Sequence, residues 1–173
     1  KSINVLGVCT KKKLNFNSDF FDLSTICKKK KIDYIYCNKI NDKKNITWLK
    51  KKKPDYIFCF GWSELLSQRI LDIPKKGIIG YHPSLLPKNR GRHPIIWSLI
   101  LGLKYIGSTF FLMTNKADKG PVIDQKKIKV LKNDNSTKIY KKLIKIANLQ
   151  LKEIILKIIK NKKFKQKKIS KKI

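Results

Sequence analysis

Two side chains that can move protons follow apolar segments of this sequence. His82 comes directly after the apolar run at 77–81, and Asp118 follows the run at 108–114. Open α/β sheets bind their ligands at the carboxyl ends of strands, so both residues fall where a site would form. An imidazole beside a carboxylate can act as an acid–base pair. On these grounds alone, a catalytic pair and a purely structural histidine both remain open.

The loop after His82 concentrates residue types that are rare elsewhere in the chain. The stretch GIIGYHPSLLPKNRGRHP at 77–94 contains both histidines, three of the six prolines and two of the three arginines. Pro83 and Pro87 fix the backbone φ angle and exclude helix, which keeps the main-chain groups of the loop in place. We therefore expect a rigid loop at the end of this strand.

Apolar periodicity predicts the fold class. Short, nearly continuous apolar runs are typical of strands covered on both faces. Such runs occur at 3–9, 33–37, 55–60 and 77–81, and further strands are predicted at 108–114 and 122–130. Helical stretches alternate with the first strands, which indicates βαβ units. We predict a Rossmann-like α/β fold, an open and mostly parallel sheet with helices on both faces.

Helix-end signals predict helices between these strands. Asn41 or Asp42 can cap a short helix whose Ile46 and Leu49 face inward. Ser63 is the predicted cap of the next helix.

Two further helices are predicted in the second half of the chain. The first begins at Pro94 and is expected to be buried, with Trp97 in the core. The second begins at a cap, Ser136, and its apolar residues recur at helical spacing, so one face should pack on the body. Those apolar residues are Ile139, Leu143, Ile146, Leu151, Ile154, Ile155 and Ile158.

The composition is strongly basic, yet it does not indicate a nucleic-acid partner. Forty-two lysines and arginines against 11 acidic residues give a formal charge of +31, a field that attracts polyanions. Arginine, the better residue for phosphate recognition, occurs only three times. Lysine, isoleucine and asparagine share A/T-rich codons. We therefore interpret the charge as genome composition and expect a solvated lysine surface.

Length and cysteine usage indicate one domain in a reducing compartment. At 173 residues the chain is long enough for one domain and too short for two. The four cysteines are widely spaced and predict core residues, with no disulfide framework and no metal site. No apolar run approaches ~18 residues and no signal-peptide pattern opens the chain. We expect a cytoplasmic protein with no membrane partner.

The motifs around the first histidine resemble those of an enzyme family. HPSLLPKNRG at 82–91, followed by a D-x-G motif at 118–120, resembles the catalytic domain of the folate-dependent formyltransferases. FCFGWSELL at 58–66 is similar to the strand and turn that line the family's pterin pocket. NRGRHPIIWSLILG at 89–102 and STFF at 108–111 most resemble the bacterial sugar N-formyltransferases, which act on nucleotide-linked amino sugars.

The resemblance implies a reaction and a set of site residues. The reaction is formyl transfer from 10-formyltetrahydrofolate to the primary amine of a nucleotide-linked amino sugar. His82 would hydrogen-bond the developing oxyanion, and Asp118 would orient the ring and accept the proton of the amine. The implied cofactor-binding residues are Trp62, Leu66, Ile78, Leu85, Thr114, Asn115, Lys116 and Ala117. The implied substrate-binding residues are Ser84, Arg90 and Arg92.

The resemblance also implies a domain arrangement. A catalytic domain would span 1–135, and a C-terminal helix with a lysine-rich tail would span 136–173. The strand and helix that normally open the family's fold have no counterpart before Ile3, so we expect the fold to lack them. No metal is implied, and a homodimer is left open.

One departure from the family pattern affects the chemistry. The family's N-x-H motif has Gly80 in place of the asparagine, which removes a side-chain amide that helps to hold the oxyanion. Asn89 and Asn115 are the nearest candidates to replace it.

Two other functions stay open at this point. A methionyl-tRNA formyltransferase would use the positive surface, but it normally needs an added RNA-binding domain. A truncated, inactive basic domain that binds nucleic acid is the third interpretation. Arg90 and Arg92 could meet a sugar-nucleotide pyrophosphate or anchor their loop to carbonyls, and His93 is interpreted as loop structure.

Overall fold

The computed structural model describes residues 2–12 and 20–166. The chain forms two compact units. The N-terminal unit contains residues 2–56 and 63–77, and the C-terminal unit contains 57–62 and the chain from 78 onward.

The N-terminal unit holds a short parallel strand pair. Strand β1 (Val8–Thr10) pairs in parallel with β2 (Tyr34–Tyr36), and helix α1 (Ser24–Lys29) lies between them in the chain. Only part of the run at 3–9 is strand, and Val5 is 53% exposed. The prediction that this whole run is a strand covered on both faces is therefore wrong, because its ladder with β2 begins only at β1.

Helix α2 (Lys43–Lys52) forms where its signals predict it. Asp42 occupies the N-cap position, although its side chain makes no capping hydrogen bond. Ile46 and Leu49 are each 8% exposed, so the predicted inward face is confirmed.

Helix α3 (Gln68–Leu71) begins later than predicted. Its N-cap residue is Ser67, so the assignment of Ser63 as the cap is wrong. The side chain of Asn41 accepts a hydrogen bond from Ser67 N and donates one to Leu65 O. A helix starting at Ser63 would use Ser67 N and Leu65 O in its first turns, and these two tertiary hydrogen bonds to Asn41 compete with that use.

The C-terminal unit is built on a four-stranded mixed sheet. In spatial order its strands are β3 (Ile57–Cys59), β4 (Ile78–His82), β5 (Tyr105–Leu112) and β6 (Val122–Lys129). The pair β3–β4 is parallel, whereas β4–β5 and β5–β6 are antiparallel. The predicted strands are present, and the class is α/β.

Helix α4 (Pro94–Ile100) begins with proline as predicted, but it does not bury its tryptophan. Ser98 is 1% exposed, and Ile95 and Leu99 pack against the core, whereas Trp97 is 51% exposed. The prediction of Trp97 in the core is wrong. A helix lying on one face of a sheet buries positions three or four apart, and Trp97 lies outside that stripe.

Helix α5 (Ser136–Ile159) packs on the same unit. Its N-cap is Asn135, whose Oδ1 accepts a 2.9 Å hydrogen bond from Lys138 N, so the prediction of Ser136 as the cap is off by one residue. Ile139 and Leu143 are 1% and 2% exposed and pack against β5 and β6, as the helical spacing predicts. No helix in the described ranges is long and apolar enough to cross a membrane.

The cysteines differ in burial. Cys27 and Cys37 are buried, which confirms the prediction of core residues for these two, while Cys9 and Cys59 are half-buried. Burial raises the pKa of the Cys59 thiol to about 11.

Candidate active site

Strand β4 carries His82 to its carboxyl end. Ile78 and Ile79 are at most 1% exposed, and His82, the last residue of the strand, is 7% exposed. Thr109 of β5 lies directly opposite His82 in the antiparallel register. The histidine therefore stands at a strand end, as the sequence predicts.

Asp118 reaches His82 by a less direct route. Since β5 is antiparallel to β4, its carboxyl end lies beside the start of β4, where Leu112 pairs with Ile79. Three strand residues span about 10 Å, so the loop at 113–121 must return along β4 to bring Asp118 back to the imidazole. The two groups meet through a loop rather than at neighbouring strand ends.

The imidazole and the carboxylate lie side by side. His82 Nδ1 is 3.6 Å from Asp118 Oδ1, an ion-pair distance that is slightly long for a direct hydrogen bond. On the opposite side of the ring, Nε2 lies 3.2 Å from the main-chain oxygen of Asn89. A neutral imidazole carries one N–H, so the ring donates toward both oxygens only when it is protonated.

Asp118 is held by the loop that follows the histidine. Gly91 N donates to Asp118 Oδ2 at 3.1 Å, and Arg90 Nε donates to the Asp118 main-chain oxygen at 3.0 Å. Asp118 has a φ of +50°, a left-handed conformation that aspartate tolerates better than most residues. One carboxylate oxygen thus faces the imidazole, and the other is fixed by a backbone amide.

Two polar side chains of the sheet hold the loop after His82. Thr109 Oγ1 donates to Ser84 O at 2.6 Å. Gln125 Nε2 donates to Thr109 Oγ1 at 2.9 Å and to Leu86 O at 3.0 Å. Sequence reasoning missed both side chains. Thr109 interrupts a mostly apolar strand, but Gln125 lies among other polar residues of β6, so residue type alone does not single out the pair.

The position of the family's asparagine is closely packed. A β carbon on Gly80 would lie 2.9 Å from Met113 Cγ and 3.0 Å from Phe111 Cζ. Asn89 and Asn115, the suggested replacements, are both exposed. What Asn89 offers the imidazole is its main-chain carbonyl, which is an acceptor. Replacement of the missing amide by either side chain therefore stays a prediction.

The predicted apolar walls of the cofactor site differ in exposure. Within the C-terminal unit, Ile78 is buried and Trp62 and Leu85 are half-buried. Leu66 belongs to the N-terminal unit, where it is 8% exposed. Their contact with a folate stays a prediction.

The loop that carries Asp118 contains the remaining predicted cofactor residues, Thr114, Asn115, Lys116 and Ala117, all of which are exposed. Lys116 N donates to Thr114 Oγ1 at 3.3 Å. Contact of these residues with a folate stays a prediction.

Two of the predicted substrate-binding residues are engaged within the protein. Ser84 is 1% exposed and its hydroxyl donates to Lys88 O at 2.9 Å. Arg90 anchors its loop to a carbonyl, one of the two roles considered for it. Arg92 is exposed, and His93 is an exposed residue directly before α4.

Comparison with known proteins identifies the family. The family described as "Formyl transferase" matches residues 4–155. The chain belongs to the formyl transferase family. Both members of the His82–Asp118 pair fall inside the matched region.

Relatives within the formyl transferase family are longer proteins. The bifunctional polymyxin resistance protein ArnA of Wigglesworthia glossinidia brevipalpis is 44% identical over 134 residues, which are 78% of this chain and 20% of that protein. The methionyl-tRNA formyltransferase of Thermotoga neapolitana is 29% identical over 162 residues, 91% of this chain and 52% of that protein. The chain thus spans from a fifth to about half of these relatives.

Solved structures of formyltransferases share the fold. The phosphoribosylglycinamide formyltransferase of Bacillus halodurans superposes with a TM-score of 0.73 at 21% identity, covering 83% of this chain and 75% of that one. A 4-N formyltransferase from Francisella tularensis gives a TM-score of 0.69 at 28% identity, covering 86% and 57%. The predicted formyltransferase fold is confirmed.

Proposed function

We propose that this chain transfers a formyl group from 10-formyltetrahydrofolate to a primary amine, with His82 and Asp118 as its acid–base pair. The observation that carries the proposal is the 3.6 Å approach of His82 Nδ1 to Asp118 Oδ1. A loop that returns along β4 makes this approach, in a chain of the formyl transferase family. An imidazole in contact with a carboxylate can act as an acid–base pair.

The roles of the pair follow from where protons are needed. Bound 10-formyltetrahydrofolate would supply the formyl group, whose carbon would gain a bond to the amine nitrogen and lose its bond to the folate nitrogen while negative charge develops on the formyl oxygen. Protonated His82 donates from Nε2 to that oxygen and supplies a proton to the leaving nitrogen. Asp118 orients the ring and accepts the proton that the amine sheds, directly or through water. Passing that proton to His82 restores the pair.

The Asn89 carbonyl sets a condition on this step. It lies 3.2 Å from Nε2 of His82, the nitrogen that must reach the formyl oxygen. Asn89 has a φ of +54°, a left-handed conformation that asparagine tolerates better than most residues. The formyl oxygen would therefore share the Nε2–H group of protonated His82 with this carbonyl.

The cofactor would meet groups that the loop and strand already present. The main chain at 114–117 would bind the pterin edge, and Trp62, Ile78 and Leu85 of the same unit would supply its apolar walls. Exposure of the loop supports the first part. Folate-binding titration of a variant with Asn115 and Ala117 both replaced by proline, which removes two main-chain donors, tests it.

We assign the amine to a nucleotide-linked amino sugar. Similarity of residues 89–102 to sugar N-formyltransferases supports this, as does the shared fold with the 4-N formyltransferase of Francisella tularensis. Arg92 is exposed beyond the loop that holds Asp118, and a guanidinium suits a pyrophosphate.

A formyl-transfer assay tests the proposal. Purified protein is given 10-formyltetrahydrofolate and a nucleotide-linked 4-amino sugar, and formamide formation is followed. His82→Ala and Asp118→Ala should each lower kcat by about 10²–10⁴-fold, the usual contribution of a positioned acid or base. His93→Ala, which removes the other, exposed histidine, is the matched control and should change kcat by no more than about twofold. Full activity of both alanine variants at the pair would refute the roles given to it.

A methionyl-tRNA formyltransferase is a second candidate. The 29% identity to the Thermotoga neapolitana enzyme over 91% of this chain favours it. Formylation of methionyl initiator tRNA, without formylation of an amino sugar, would select it. Salt-sensitive RNA binding without folate binding would instead select the basic nucleic-acid-binding interpretation.

A further inference from the structure

His82 is the first member of a row of polar residues that crosses three strands. It pairs with Thr109 on β5, and Thr109 pairs with Gln125 on β6. Side chains of directly opposed residues lie on the same face of a sheet. The imidazole, the hydroxyl and the amide therefore occupy one face.

The loop after His82 lies directly against this row. Gly107 precedes Thr109 by two residues and so shares its face of β5. A β carbon on Gly107 would lie 2.4 Å from both Ser84 C and Ser84 O. The loop backbone thus occupies the space that a side chain would need, and only glycine permits this approach.

The side chains of Thr109 and Gln125 hydrogen-bond to the loop and to each other. Thr109 Oγ1 donates to Ser84 O, while Gln125 Nε2 reaches Thr109 Oγ1 and Leu86 O. Thr109 is 0% exposed. The buried Thr109 hydroxyl fixes the Ser84 carbonyl, since losing it would leave that carbonyl and the Gln125 amide without this partner.

The loop then returns to the imidazole. Ser84 Oγ donates to Lys88 O at 2.9 Å, and Lys88 N donates to Leu85 O at 2.9 Å. The next residue, Asn89, presents its carbonyl to His82 Nε2 at 3.2 Å. Hydrogen bonds, joined by short covalent segments of the loop, therefore connect the sheet to the side of the ring that faces away from Asp118.

We propose that Thr109 and Gln125 are positioning residues for His82. By fixing the carbonyls of Ser84 and Leu86, they set the position of the Asn89 carbonyl and thereby the orientation of the imidazole toward Asp118. Neither side chain touches the reacting atoms. The kinetic consequence rests on the proposed formyl transfer, whereas the effect on the ring does not.

Isosteric variants test the kinetic consequence. Thr109→Val keeps the shape of the side chain and removes the hydroxyl, and Thr109→Ser keeps the hydroxyl. We expect Thr109→Val and Gln125→Met to lower kcat by about 100-fold, the cost typical of a misplaced catalytic group, with little change in the KM for the folate. Thr109→Ser should recover most of the activity. Thr47→Val and Gln68→Met, at exposed positions on α2 and α3, are the matched controls.

Dependence on His82 separates positioning from general destabilisation. In a His82→Ala background, Thr109→Val should cause no further loss of kcat, because residues that act as one unit are not additive. An additive loss, or a wild-type kcat in folded Thr109→Val and Gln125→Met, would overturn the inference. Should Thr109→Val fail to fold by its thermal transition, Gln125→Met decides.

A readout without turnover distinguishes failure of this inference from failure of the proposed function. The chain has only two histidines, so ¹⁵N-labelled imidazole resonances can be assigned with His93→Asn. The ring resonances of His82 should shift in Thr109→Val and Gln125→Met and stay in place in the two controls. Unchanged resonances overturn the positioning role even if no substrate amine is found. If the wild-type protein shows no formyl transfer but the His82 resonances still shift in the two variants, the positioning role is supported and the proposed reaction is refuted.

Discussion

At the scale of single residues, the acid–base pair depends on backbone groups as much as on its own two side chains. One ring nitrogen of His82 faces a carboxylate and the other faces the Asn89 carbonyl. The carboxylate of Asp118 is in turn fixed by Gly91 N. The loop between β4 and α4 therefore sets the orientation of the pair. Substitutions in that loop should change kcat even though they replace neither His82 nor Asp118.

The same scale explains why the family's asparagine cannot simply be restored. Gly80→Asn would push its side chain against Met113 and Phe111, whose atoms lie 2.9 Å and 3.0 Å from a β carbon there. We expect it to lower the free energy of unfolding by about 1–3 kcal/mol, as overpacking does, without raising kcat. Urea unfolding measures the first and the formyl-transfer assay the second.

Two companion variants make this result specific. Gly80→Asn with Met113→Ala should recover part of the lost stability, because the space next to the new side chain is then open. Gly102→Asn, where no atom lies within 4 Å of a β carbon and φ is +56°, should be nearly neutral. If Gly80→Asn raised kcat and left the free energy of unfolding unchanged, the packing of Met113 and Phe111 around position 80 would not exclude the asparagine side chain.

At the scale of elements, helix α5 is tied to the sheet by a buried glutamine. Gln150 is 1% exposed, accepts from Ser108 Oγ at 2.5 Å and donates to Asp124 Oδ2 at 2.7 Å. Gln150→Leu removes the hydrogen bonds to buried Ser108 and half-buried Asp124, so we expect the free energy of unfolding to fall by about 1–3 kcal/mol. Asn148→Leu, exposed on the same helix, is the control for urea denaturation. Equal stability of the two variants would contradict a role for the glutamine in fixing the helix.

Elements were more predictable than the contacts between them. Apolar runs and cap signals located β2 to β6, α2 and α5, because burial and helix ends depend on nearby residues. They could not indicate that β5 returns antiparallel to β4, because α4 lies between the two strands and a run of apolar residues has no direction. Trp97 was misjudged for a related reason: the stripe that α4 buries depends on where the helix lies on the sheet.

The site shows the same limit. Residue types and the D-x-G resemblance pointed to His82 and Asp118, although the simple expectation of adjacent strand ends does not describe how they meet. Thr109 and Gln125 could not be singled out, because their importance depends on a cross-strand register that local sequence leaves open.

At the scale of the whole molecule, the charge of +31 makes the few carboxylates important. A backbone hydrogen bond from Ser24 lowers the pKa of Asp22, a hydrogen bond from Lys52 lowers that of Asp33, and a backbone hydrogen bond from Leu131 lowers that of Asp134. Each group therefore stabilises the fold above its ordinary pKa of 3.8, and that contribution is lost as the pH falls through the lowered value.

The expected result is a loss of stability that begins at about pH 5 and continues as the pH falls below 3.8, measured as the midpoint of thermal unfolding at constant ionic strength. Asp134→Asn should lower the midpoint at pH 5 and flatten its dependence on pH, because one of the contributing groups no longer titrates. Asp55→Asn, at an exposed position, should follow the wild-type curve more closely. A variant at Asp134 with the full wild-type slope would exclude that carboxylate as a contributor.

The returning loop at 113–121 has a consequence for how this sequence can vary in length. Each residue extends a chain by at most about 3.6 Å, so a single deletion there withdraws the carboxylate by roughly the whole distance that separates it from the imidazole. The loop also requires glycine at position 120, since a β carbon there would lie 1.6 Å from Leu112 O. Insertions and deletions in this loop should therefore abolish the approach of Asp118 to His82, whereas those between β6 and α5 should leave it intact. The length of the loop at 113–121 thus constrains this sequence more than the composition of its strands does.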